Sequence, residues 1–150
     1  MLPSAHRLAS RRLNEQTFYF TNMVPQNQNQ NGGVWERLEN AERSISDRVD
    51  TLYVVCGPTI DPNSISISDN TGNRVKVPTH TWKVLYWKEA GGHRSVGFKI
   101  PNSARPKGDS FKNYAVSVAS LEKELGVTFF THLDPAVAEG IKSQKSTNNM

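Results

Sequence analysis

Residues 31–49 read NGGVWERLENAERSISDRV, and within them Val34, Leu38, Ala41, Ile45 and Val49 recur at spacings of three and four. At about 100° per residue these positions fall in one stripe, so the spacing predicts a helix of about four turns with one face on a core. Just after it, Thr51 to Cys56 (TLYVVC) is an almost unbroken β-prone run, which predicts a strand covered on both faces and stopped by Gly57-Pro58. Just before it, Thr17 to Thr21 (TFYFT) predicts a short strand, and NMVPQNQNQNGG a loop. Further strands are expected at Asn73–Val77, Thr81–Lys88 and Ser95–Ile100, the last two flanking EAGGH, whose Gly91-Gly92 suits a hairpin turn. Asn113–Val118 reads as a final short strand. Ser117 then caps a helix through Gly126 with Val118, Leu121 and Leu125 at helical spacing, and Asp134-Pro135 starts a short terminal helix. Hairpin strands with helices between and after them lack the regular βα alternation of a parallel sheet, so the expected class is α+β, an antiparallel sheet flanked by helices.

The chain has 150 residues, enough for one core and too few for two, so a single domain over 1–141 is expected, with 142–150 a frayed, disordered tail. No apolar run approaches the roughly 18 residues of a membrane-crossing helix, and MLPSAHRLASRR lacks the apolar stretch of a secretion signal. Cys56 is the one cysteine, which excludes an internal disulfide and a cysteine-based zinc cluster; its setting, LYVVCG, predicts a buried thiol. The net charge is +4, from 18 Lys+Arg and 14 Asp+Glu. It is unevenly spread: Arg94, Lys99, Arg105, Lys107 and Lys112 face Asp109 alone across residues 94–112, centred on the loop PNSARPKGDS. Such a loop either grips phosphate through Arg105 and Lys107 or is simply solvated. Arg7, Arg11 and Arg12 form a second basic segment with the same two readings.

The chemistry concentrates where the long helix begins. Asn31 stands at its entry, with Gly32 and Gly33 allowing close approach of backbone or ligand. In a regular helix Glu39 lies about 80° around the axis from Asn31, and Arg43 about 40° further, so all three look out from one flank. An amide oxygen, a carboxylate and a guanidinium beside a helix start suit a hard divalent cation together with a phosphate. The plainer reading is a capping Asn and a Glu39–Arg43 surface pair. Helix position places Arg37 on the other side, as a surface charge, and Met23, Trp35, Trp82, Trp87 and Phe129-Phe130 read as core or packing residues rather than base-stacking platforms.

TFYFTNMVPQ (17–26), NGGVWERLE (31–39) with Arg43, LYVVCGPTI (52–60), VPTHTWKV (77–84) and YAVSVASLEKELGVTFF (114–130) follow one another in an order that resembles the DNA/RNA non-specific endonucleases, the ββα-metal or His-Me finger nucleases. The resemblance covers nearly the whole chain. It implies a ββα-metal core and a one-metal phosphodiesterase acting on the backbones of DNA and RNA and leaving 5′-phosphate ends. In it Asn31 matches the residue that binds Mg²⁺ (or Mn²⁺), Glu39 the residue that holds the metal's waters, and Arg43 an arginine at the scissile phosphate. Family members are often exported, and a homodimer or an inhibitor protein are partners to look for.

The family's Asp-Arg-Gly-His motif, whose histidine is the general base, would lie ahead of Met1, so the first strand is expected to be incomplete and the chain poorly active and poorly stable. Two other readings follow: a catalytically inactive nucleic-acid-binding remnant, and a nucleotide pyrophosphatase or phosphodiesterase. Among the histidines, His6 lies nearest the missing motif and reads as an exposed polar replacement; His80 sits at a strand entrance, and His93 and His132 read as solvent-facing.

Overall fold

The computed structural model describes residues 1–148 and 150, and at 105 and 106 the backbone alone. The fold is α+β, with an antiparallel sheet flanked by helices. After a short helix α1 (Arg11–Glu15) and a series of tight turns, the long helix α2 (Glu36–Ser46) leads into β1 (Leu52–Thr59), a small hairpin of β2 (Ser66–Ser68) and β3 (Arg74–Lys76), and the long hairpin β4 (His80–Glu89) and β5 (Gly92–Pro101). The chain ends with β6 (Ala115–Val116), α3 (Val118–Leu125) and α4 (Pro135–Lys142). The main sheet runs β1-β4-β5-β6, antiparallel throughout. Ala90-Gly91 closes the β4–β5 hairpin, with Glu89 opposite Gly92.

Alternation along β4 divides the core. Leu85 and Trp87 join Val34, Trp35, Leu38, Ala41 and Ile45 of the α2 segment in one cluster with Val96, Phe98, Ile100 and Phe111. Val84 points the other way, to Val118 and Leu121 of α3, with Trp82, Phe129 and Phe130 packed around them. Four of the five stripe positions read from the sequence, Val34, Leu38, Ala41 and Ile45, are buried, each large side chain contributing about 1.5–3 kcal/mol, while Val49 lies beyond the end of the helix and is half-buried. The caps also form as expected: Ser117 Oγ accepts from the Ser120 N–H at 3.2 Å, and Asp134 Oδ1 from Ala136 and Val137 at 2.9 and 3.3 Å. Gly126 stops α3 in the left-handed region, at φ 66°. After Lys142, the Gln144 Oε1 accepts the Ser95 N–H at 3.2 Å. Among the described residues no helix is long and apolar enough to cross a membrane.

Several expectations fail, for physical reasons. Residues 16–22 form two 3₁₀ turns rather than a strand, closed by Asn22 N–H to Tyr19 O at 2.8 Å and Met23 N–H to Phe20 O at 3.1 Å. A β-prone run becomes a strand only beside a partner, and this one has none among the described residues, so Phe20 is left 92% exposed. Met23 is exposed too rather than packed. Asn113 belongs to a 3₁₀ turn over Phe111–Tyr114, and the strand shrinks to Ala115–Val116. β1 runs on through Gly57-Pro58 to Thr59, because a proline is tolerated on an edge strand, where its missing N–H breaks no ladder. Being an edge, β1 is not covered: Tyr53, Val54 and Val55 are exposed.

Candidate functional site

The entry to α2 is not a regular helix start. Residues Gln30–Trp35 form a wide helical turn in which the Glu36 N–H reaches back to Asn31 O, and Gly33 breaks it at φ −120°, ψ −105°. The angle between Asn31 and Glu39 reckoned for a uniform helix therefore does not carry across, while Glu39 to Arg43 is regular. Asn31 is exposed; its N–H bonds Asn27 O at 2.9 Å, and its side-chain amide has no hydrogen-bond partner among the described residues. Two buried or latched amides, which the sequence did not single out, hold this turn in place. Gln30, fully buried, donates to Thr81 Oγ1 at 2.8 Å and accepts from Gln26 at 3.1 Å. Asn102 accepts the Asn27 N–H at 2.6 Å and donates to Pro25 O at 3.0 Å and Pro78 O at 2.9 Å.

Arg37 is not a free surface charge. Its Nη2 donates to Lys107 O at 2.7 Å and Asp109 O at 2.6 Å, tying the basic loop to the helix. A Cβ at Gly33 would stand 2.9 Å from both Cα and O of Lys107, so the second glycine of the pair is needed for the chain's own loop, while Gly32 faces open space. Lys107 is exposed; the side chain of Arg105 lies outside the described residues. Arg7, Arg11 and Arg12 are exposed, Arg11 pairing with Glu15 at 2.8 Å.

Glu39 is half-buried, and burial pushes its carboxyl up, opposed by Lys83, a hydrogen bond from Trp35 and Arg43. Arg43 donates through Nη2 to Asn40 Oδ1 rather than to Glu39, and its Nη1 is buried without a partner. Beneath them lies an ion pair invisible to periodicity: Lys83 Nζ is 2.6 Å from Glu42 Oε1, each 1% exposed, and 4.3 Å from the centre of a Trp35 ring. Burial pushes the Glu42 carboxyl up and Lys83 pulls it back, and Glu42 Oε2 is unpartnered.

His6 is half-buried, not exposed. With Glu42 and Arg43 it lines a cavity of about 380 Å³, and its Nε2 is buried without a partner. Burial first, then Arg43 and Lys83, push its pKa down from the ordinary imidazole value and favour the neutral ring. His93 is also half-buried, its Nδ1 2.9 Å from the Tyr86 hydroxyl and its ring stacked on Tyr86. His80 meets Thr79 Oγ1 at 3.2 Å, and His132 is exposed as expected. Cys56 is half-buried, its thiol pushed up by burial.

No group of three or more His, Cys, Asp or Glu side chains is placed to hold a metal among the described residues, which excludes a closed structural cage there. Asn31 in the broken turn and Glu39 in α2 would offer a hard cation one amide and one carboxylate oxygen and leave it most of its waters.

The sequence profile of the DNA/RNA non-specific endonucleases matches residues 1–136. Nuclease C1 of Cunninghamella echinulata var. echinulata is 34% identical over 143 residues, covering 89% of this chain and 56% of that protein. The mitochondrial nuclease EXOG of Xenopus laevis is 32% identical over 144 residues, covering 89% and 40%. The chain thus spans about half the length of the curated relatives it matches. Among solved structures, a chain of the EndoG/EndoGI complex shares the fold at a TM-score of 0.74 and 24% identity, over 89% of this chain and 58% of that one.

Proposed function

Because the chain belongs to the DNA/RNA non-specific endonuclease family, we propose that it is the metal-helix part of a Mg²⁺-dependent endonuclease that hydrolyses phosphodiester bonds of DNA and RNA. The observation that carries this reading is the exposed, unpartnered Asn31 amide at the kinked entry of α2. Asn31 would hold the cation directly and Glu39 its waters. Bound there, the cation supplies charge neutralisation at a non-bridging oxygen and at the leaving oxygen. Arg43, half-buried one turn on from Glu39, would offer its guanidinium to a phosphate oxygen as negative charge builds. Trp35 and Lys83 keep Glu39 oriented and favour its ionised form against burial.

The test uses plasmid DNA and RNA, with the 150-residue chain and the same chain extended upstream through an Arg-Gly-His segment. The extended form is expected to degrade both substrates with Mg²⁺ and to stop when EDTA is added. Asn31→Ala and Glu39→Ala should each lower kcat/KM at least about a hundredfold. Full activity in Asn31→Ala would overturn the metal assignment.

A second reading is nucleic-acid binding without cleavage: His80 and His93 are engaged by Thr79 and Tyr86, and His6, which lines a cavity with Arg43, would have to serve as the base for the chain to cleave. It predicts salt-sensitive binding in both forms and no cleavage at any Mg²⁺ concentration. Small nucleotides assayed beside plasmid separate a pyrophosphatase from both.

A further inference from the structure

We propose that the loop after β5, residues 102–109, is a nucleic-acid jaw locked onto the entry of α2, with Arg37, Gly33 and Asn102 as its positioning residues and Lys107 as its phosphate contact. This rests on the nucleic-acid substrate proposed above, but its geometry is independent of the metal.

The loop is pinned at both ends to the chain on either side of the turn that carries Asn31. At its start, the Asn102 side chain bonds Asn27 N–H and Pro25 O, just ahead of Asn31. At its end, Arg37 bonds the carbonyls of Lys107 and Asp109, just beyond Asn31. Between these anchors the Lys107 backbone presses on Gly33 so closely that any Cβ there would meet it at 2.9 Å. The Lys107 backbone is thereby packed against Gly33, which is two residues along the chain from Asn31.

The charges are arranged to match. Asp109, the acid of this stretch, accepts the Tyr114 hydroxyl at 2.5 Å, and Arg37 is engaged by neutral carbonyls. Lys107 is exposed and has no carboxylate partner among the described residues. An unpaired ammonium on a pre-ordered loop binds a phosphate without a further ordering cost, because that cost is met in folding. The contact is to backbone, so it adds affinity without sequence preference.

The experiment measures binding of a fluorescent 20-base-pair duplex in EDTA over a range of salt, and cleavage with Mg²⁺ by the form extended upstream through the Arg-Gly-His segment. Lys107→Gln should weaken binding about tenfold at low salt and reduce the slope of log K against log[salt] by about one. Arg37→Met, which keeps the stem and loses both carbonyl bonds, should weaken binding similarly and raise KM with little change in kcat, and Arg37→Lys should restore part. The decisive measurement is the pair: Arg37→Met/Lys107→Gln should bind about as weakly as either single variant, since Arg37 acts by placing Lys107. Independent, multiplying losses would overturn the proposal. So would an Arg37→Met protein that melts lower yet binds DNA with the parent's affinity and salt slope, which would leave Arg37 a structural tether. Should Asn31→Ala cleave normally while the loop variants bind poorly, the metal reading fails and the jaw stands; a parent that does not bind duplex overturns the jaw.

Discussion

Two β-prone runs in this chain, TLYVVC at 51–56 and KVLYW at 83–87, end in opposite surroundings. The second contains a lysine and is buried: Lys83 and Val84 are 1% exposed and Leu85 is not exposed at all. The first contains no charge and is open, with Tyr53 at 59% and Val55 at 47%. The difference is position in the sheet. β4 has strands on both sides and helices on both faces, whereas β1 is an edge. Hydropathy sets how much a segment gains from burial, and the neighbours decide whether it is buried. A charge is tolerated inside β4 because Glu42 of α2 meets it, and the apolar edge of β1 is the part of the sheet best suited to unwanted pairing.

The sharpest way to break this contrast is to unpair the buried charge. Lys83→Met should cost about 3–5 kcal/mol in urea unfolding, because Glu42 is left buried and alone, while Glu42→Leu with Lys83→Met should recover most of it. A double variant no more stable than Lys83→Met would show that the pair does more than neutralise itself. Next in size, Leu85→Ala in the covered strand should cost about 2–5 kcal/mol. Its edge counterpart, Val55→Thr, should stay within about 0.5 kcal/mol and reduce concentration-dependent association in light scattering. A loss at Val55 as large as at Leu85 would mean that β1 is covered in solution.

The smallest expected effect concerns His6. Its folded-state pKa lies below the unfolded value, so its contribution is present above pH 6.5 and is lost as pH falls through the lower folded value. Denaturation midpoints measured from pH 7.5 to pH 5 should therefore fall less steeply for His6→Gln than for the parent. Parallel curves would place His6 in solvent, as the sequence suggests.

What was legible was local. The α2 stripe, the β4–β5 hairpin and the caps at Ser117, Gly126 and Asp134-Pro135 depend on residues within a turn or two of one another, and all are present. Asn31, Glu39 and Arg43 could be singled out because they lie on one such segment. The supports of the site were not legible, because their partners lie far along the chain: Glu42 to Lys83 spans 41 positions, Arg37 to Asp109 72, and Asn102 to Pro25 77. A double glycine marked a close approach without saying whether a ligand or the chain's own loop makes it.

Side-chain periodicity, turn residues and capping groups act over a few residues, so they are written in the order of the amino acids and fix the helices, the hairpin and the α+β class. Which strand becomes an edge, which arginine becomes a clasp, and which lysine finds a carboxylate depend on closing loops of tens of residues. Those contacts form only when the whole core packs, and the three-dimensional arrangement alone selected them.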